Sequence, residues 1–136
     1  MATNTTYAEI QEEIEATLGT MPGFFEGIPD ETLVAEWPTF KRYTLDESVI
    51  PAKYRELIGL AVASNIKCPY CVHFHRAAAK LHGATDEELE ELVALSSMTS
   101  RWSAMIHAQE YDLDTFKAET ERIGEHLQSQ MESPTD

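Results

Sequence analysis

Basic residues are scarce in this chain of 136 residues: ten Lys and Arg stand against 24 Asp and Glu, a formal net charge of −14. A surface of that sign repels phosphate, so nucleic acid and anionic membranes are disfavoured as partners. The acidity itself has two open readings. One is a solvated face that keeps the chain soluble. The other is adaptation to high salt, where counterions screen self-repulsion. No run of 18 apolar residues is present, so no membrane-spanning helix is expected. The start, MATNTTYAEI, has neither a basic region nor an apolar stretch; no secretory signal is expected, and the expected location is cytoplasmic. Alternating β-branched runs, internal repeats and low-complexity segments are missing too. Cysteine is nearly absent, with two residues. In a reducing compartment a closely spaced pair points to redox chemistry or metal ligation rather than a structural staple.

What is there is helical. The length suits a single domain, residues 1–136, and a modest core. The patterning predicts an all-α fold of about six helices. A first helix is expected over residues 6–18, with Thr6 and Glu9 as a capping box and Tyr7, Ile10, Ile14 and Leu18 on one stripe. Residues 21–27 read as a loop in which Phe24 and Phe25 plug the core. A short helix is expected from Asp30 to Glu36, interrupted by Pro38, with Thr39 to Tyr43 as a separate or kinked piece. Pro51 opens the next helix. Its second half, LIGLAVA, is apolar on every side, which predicts burial all round. Thr85 and Glu88 form another capping box, opening a helix to about Gln109 with Leu95, Met98, Trp102 and Met105 along one stripe. Asp112 or Asp114 caps a last helix to about Met131, with Leu113, Phe116, Ile123 and Leu127 inward. The tail SPTD should fray.

The chemistry gathers in residues 56–83, ELIGLAVASNIKCPYCVHFHRAAAKLHG. Pro69 suits a first helical position, because its missing N–H would have no partner there. Cys68 then falls near the N-cap, Cys71 in the first turn, and Gly83 is the C-terminal stop. Unpaired N–H groups and the positive end of the helix dipole stabilise a thiolate, so the thiol pKa should fall below about 8.5. Positions 68, 71 and 75 share one face. His75 thus lies one turn from Cys71, placed to take its proton. Glu56 is the last charge before the apolar run, a carboxylate expected to be partly desolvated.

Each of these residues also has a plainer reading. A bare C-x-x-C serves redox chemistry, a zinc site or nothing. Structural zinc takes four ligands, and with no second Cys pair here it would draw on His75 with Glu56, His73 or a partner chain. A lone His75 would be a packed core histidine, and a lone Glu56 a solvated helix residue. His73 and His82 face elsewhere, and nothing in their spacing recommends His107 or His126. Tyr70 either packs over the thiols or fills space. Trp37 and Trp102 read as core or interface.

Taken together, Glu56, Cys68, Cys71 and His75 read E-x11-C-x2-C-x3-H. This spacing, with the TDEELEEL segment behind the glycine, resembles the alkylhydroperoxidase AhpD-like group of the carboxymuconolactone decarboxylase superfamily over residues 50–110. The resemblance implies an all-helical, obligate homo-oligomer, commonly a trimer or hexamer, and calls for no cofactor and no metal. It implies that Glu56, through a water, and His75 relay a proton from Cys71. Cys71 attacks a hydroperoxide, Cys68 resolves the sulfenic acid as a disulfide, and an external dithiol, a lipoyl or thioredoxin-like protein, restores the pair. A small disulfide is the other candidate substrate. The alternatives are a metal-binding module, a non-catalytic helical oligomer, and a lactone decarboxylase. The last does not depend on a Cys pair, so both thiols argue against it.

Overall fold

The computed structural model describes residues 5–132, and the SPTD tail lies outside them. Among the described residues there is no strand, and the fold is all-α. Seven helices follow in order: α1 (Tyr7–Leu18), α2 (Gly23–Glu26), α3 (Asp30–Phe40), α4 (Ala52–Asn65), α5 (Pro69–Leu81), α6 (Asp86–Ala108) and α7 (Leu113–Glu132).

The N-terminal helices build an aromatic core. Thr6 and Glu9 cap α1 reciprocally, as their spacing predicts. The helix then turns Ile10 and Ile14 onto Phe25, Leu33 and Trp37. Burying each such side chain contributes about 1.5–3 kcal/mol. Residues 21–27 are not all loop: Gly23–Glu26 forms one helical turn. Phe25 is the plug, and Phe24 stays exposed against its edge. Nor does Pro38 interrupt its helix. The α3 helix runs through it to Phe40 and continues as a π-helical segment, Lys41–Leu45. The Trp37 and Phe40 rings stack across the proline at 5.7 Å, with Phe25 edge-on to both, so packing on either side holds the helix together. The loosened register appears one turn later, where the Asp46 N–H reaches back five residues to the Lys41 carbonyl.

Arg55 joins this region to the rest. From α4 its guanidinium donates to the carbonyls of Tyr43 at 2.8 Å and Asp46 at 2.7 Å. Beyond it, α4 and α5 form an antiparallel hairpin around Leu60 and Ala79, and Leu89 of α6 closes the same cluster. Lys53 pairs with Glu88 near the starts of α4 and α6, and Asn65 bonds Ser96 and Ser100 at the end of α4. The two helices therefore run in the same direction, and α6 overshoots.

Three faces expected inside lie open in the single chain. Ile58 and Val62 of α4 are each 54% exposed, and Trp102 of α6 is 56% exposed. Leu95, Met98 and Met105 of α6 are exposed with it, as are Leu113, Phe116, Ile123 and Leu127 of α7. The reason is simple geometry. Among the described residues it is α5, α6 and, at its start, the π-helical segment that pack closely on α4. No described residue of α7 is buried.

Candidate active site

The site is built where one helix hands over to the next. The last turn of α4 closes with Ile66 as its cap, and the Cys68 N–H bonds back to the Ala63 carbonyl at 3.1 Å. This is the closing bond of a Schellman motif. The end of α5 makes the same motif, with Ala84 bonding Ala79 and Gly83 in the left-handed conformation at φ 84°. At the end of α4 that place is taken by Lys67, at φ 60°. A side chain there costs strain that glycine would not. The turn delivers Cys68 in an extended conformation as the N-cap of α5, with Pro69 at the first helical position.

Both sulfurs then sit at the helix start. They lie 2.8 Å apart, unbonded and half-buried. The Cys71 N–H also donates to the Cys68 sulfur at 3.3 Å. These bonds split the two thiols. The Cys71 side chain, followed by its N–H, stabilises the Cys68 thiolate and holds its pKa below that of an ordinary thiol. Cys71 is pushed the other way, first by its bond to Cys68 and then by partial burial. The more acidic thiol of the resting pair is thus Cys68, not Cys71 as its place beside His75 suggests. The N-cap sulfur accepts the Cys71 N–H and shares one S–H···S bond with the other sulfur.

One turn further on, His75 meets Glu56. Its Nδ1 is 2.7 Å from Glu56 Oε2, with no water between them. Glu56 is 2% exposed, the one buried charged or polar residue among those described. An anion so placed needs a partner, and the imidazole supplies it. With Nδ1–H donating to the carboxylate, Nε2 is left as the basic nitrogen. Among the described residues the ring makes no direct hydrogen bond to either sulfur. The ring lies against Gly59, three residues past Glu56 on the same helix face: a Cβ built there would fall 2.5 Å from His75 Cε1. Sequence patterning passes over Gly59 as part of an apolar run; the available signal was a glycine in mid-helix, where alanine is the better former.

The other candidates lie apart. Tyr70 is 84% exposed and does not cover the thiols. His73, His82 and His126 are exposed, and His107 bonds a carbonyl of its own helix, that of Ser103, at 2.8 Å. A cleft of about 400 Å³ beside Asp46, Arg55 and His82 contains none of the site residues. Among the described residues no three His, Cys, Asp or Glu side chains are grouped so as to hold a metal ion.

Comparison with known proteins bears on family and fold. Residues 32–111 match the carboxymuconolactone decarboxylase family. An alkyl hydroperoxide reductase of Mycobacterium tuberculosis is 35% identical over 81 residues, 58% of this chain but 23% of that protein. The uncharacterized protein 4 in the cox locus of Paracoccus denitrificans is 29% identical over 93 residues, covering 68% of this chain and 79% of that one. This chain thus spans about a quarter of the mycobacterial relative and most of the second. The crystal structure of the alkylhydroperoxidase AhpD core from Rhodospirillum rubrum superposes with a TM-score of 0.70 at 26% identity, covering 82% of this chain and 85% of that one. On the family match and the shared fold, this chain belongs to the carboxymuconolactone decarboxylase family, in its alkylhydroperoxidase AhpD-like group.

Proposed function

We propose that this protein is a thiol-dependent peroxidase or disulfide oxidoreductase in which Cys68 and Cys71 cycle between dithiol and disulfide. The observation that carries the reading is the pair of sulfurs 2.8 Å apart at a helix start, one turn from an imidazole bound to a buried carboxylate. In the peroxidase cycle Cys71 gives its proton to Nε2 of His75 through a water, and Glu56 stabilises the imidazolium. The Cys71 thiolate attacks the terminal oxygen of ROOH. The O–O bond breaks, the alkoxide takes the proton and leaves as ROH, and Cys71 becomes a sulfenic acid. The Cys68 thiolate displaces hydroxide from that sulfur, which leaves as water once protonated, and the disulfide forms. An external dithiol, carried by a lipoyl or thioredoxin-like protein, reduces it by two thiol exchanges and is itself oxidised.

The N-cap thiolate of Cys68 favours a second reading. There Cys68 attacks a small disulfide, releases one thiolate, and Cys71 closes the ring by displacing the other. Stopped-flow oxidation of the reduced protein by an organic hydroperoxide and by a small disulfide, side by side, separates the two. If neither oxidant reacts faster than it does with free cysteine near neutral pH, both readings fail.

The chain is read as one domain acting in a homo-oligomer, a trimer or a hexamer. A compact monomer of 15.3 kDa exposes about 7,100 Å², whereas this chain exposes 10728 Å². The excess, roughly 3,600 Å², is several times the 800 Å² or so that one standard interface removes from each partner. The open apolar stripes of α4, α6 and α7 support burial against more than one copy. No helix among the described residues is long and apolar enough to cross a membrane.

A further inference from the structure

We propose that Gly59 is a positioning residue: its missing side chain is the seat on which the His75 imidazole lies. The catalytic consequence rests on the reading of Glu56 and His75 as a proton relay; the seat itself rests on geometry. A Cβ at position 59 would come within 2.5 Å of Cε1, 2.6 Å of Nδ1 and 2.7 Å of Nε2 of His75. Carbon atoms in contact keep about 3.5–4.0 Å, so the ring lies over the bare Cα and any side chain displaces it by about an ångström.

What the ring would lose is specific. The nitrogen nearest that hypothetical Cβ is Nδ1, the same atom that holds the Glu56 carboxylate at 2.7 Å. Among the described residues this is the only hydrogen bond of the Glu56 side chain. Gly59 and Glu56 are three apart on α4, so one helix face presents both the seat and the anion. Phe74 stands edge-on to the imidazole at 5.2 Å. The depth of the ring between the helices is therefore set by the absence of a methyl group, at the expense of the helix preference for alanine.

The molecule contains its own control. Gly124 is also a helical glycine, in α7, and a Cβ there would meet nothing within 4 Å. Four variants of the full chain test the seat: Gly59→Ala, Gly124→Ala, His75→Ala, and Gly59→Ala with His75→Ala. Gly124→Ala should raise the denaturation midpoint and leave the thiol oxidation rate unchanged. Gly59→Ala should abolish the NMR signal of the hydrogen-bonded His75 Nδ1–H and slow oxidation by hydroperoxide by the same factor as His75→Ala, about 10²-fold. The double variant should be more stable than Gly59→Ala and no slower than His75→Ala, because the methyl group then enters space the ring has left.

Retention of the Nδ1–H signal and the parent rate in Gly59→Ala would overturn the proposal. So would a double variant as unstable as Gly59→Ala, since the methyl group would then be meeting something other than the ring. If Gly59→Ala fails to fold, recovery of folding in the double variant decides in favour of the seat, and failure to recover decides against it. Should the parent itself not react with hydroperoxide, the relay reading falls. The ring signal and the stability comparison would still decide the question of the seat.

Discussion

The two halves of the molecule use their interiors differently. In α1–α3 the buried residues are large and apolar: Ile10, Ile14, Phe25, Leu33 and Trp37. Around α4 and α5 they are Leu60, Ala63, Ala79 and Leu89, together with the acid Glu56. The first region fills its volume with rings. The second gives volume up: a glycine and alanines bring the helices close, and the space is occupied by an imidazole–carboxylate pair. Cores of the first kind stabilise by burial. A core of the second kind gains little from burial and must satisfy a buried charge. The apolar surface that would have completed it lies on the outside of α4, α6 and α7.

That contrast can be broken by substitution. The largest loss of stability is expected from Trp37→Ala, which removes the largest fully buried side chain and its ring contacts. About 3–5 kcal/mol should be lost in chemical denaturation, with the thiols of the folded fraction reacting as in the parent. Equal damage to thiol reactivity would erase the division of labour. Glu56→Gln should do the opposite. It keeps the volume but removes the anion, so hydroperoxide oxidation should slow by about 10²-fold or more, with a change in denaturation midpoint well below that of Trp37→Ala. A large loss of stability with an unchanged rate would make Glu56 a structural acid.

The thiols sharpen the comparison through pH. The Cys68 pKa is lowered by donors from Cys71, so removing the Cys71 sulfur should raise it. In Cys71→Ala the midpoint of the Cys68 alkylation rate should move to higher pH. Cys71 is held up first by Cys68, so in Cys68→Ala its midpoint should move to lower pH. Shifts of the same sign in both variants would show that the helix start, rather than the partner sulfur, sets both values. The smallest effects belong to the caps, one in each region. Thr6→Ala and Thr85→Ala each break a reciprocal capping box and should each cost about 1 kcal/mol. A cost at Thr85 alone would mean that α1 contributes less to cooperative unfolding than its buried Ile10 and Ile14 suggest.

Local signals carried far in this sequence. Capping boxes at Thr6 and Thr85, Pro69 at a helix start and Gly83 at a helix end each act through bonds to near neighbours in the chain, and the structure has all four. The spacing of Glu56, Cys68, Cys71 and His75 was legible for the same reason: two helices and one turn relate the four positions. What was not legible depends on distant partners. Pro38 reads as a break until Trp37 and Phe40 are seen to stack across it. The apolar second half of α4 and the stripes of α6 and α7 read as buried because periodicity marks an apolar face without saying whether anything in the same chain covers it. The order of acidity of the two thiols follows first from the bond between the sulfurs and then from which of them receives the N–H of residue 71, both details of turn geometry. Gly59 offers only the weak signal of a glycine in mid-helix; its meaning appears once a ring from another helix lies on it.

The most direct test is to map the thiols after exposure of the reduced protein to one equivalent of organic hydroperoxide. Both free cysteines should disappear together, and the peptide containing residues 68–71 should carry an internal disulfide that a dithiol reverses. Thiols left intact, or a stable sulfenic acid on one sulfur with the other still free, would contradict a site in which one helix start sets two sulfurs to close on each other.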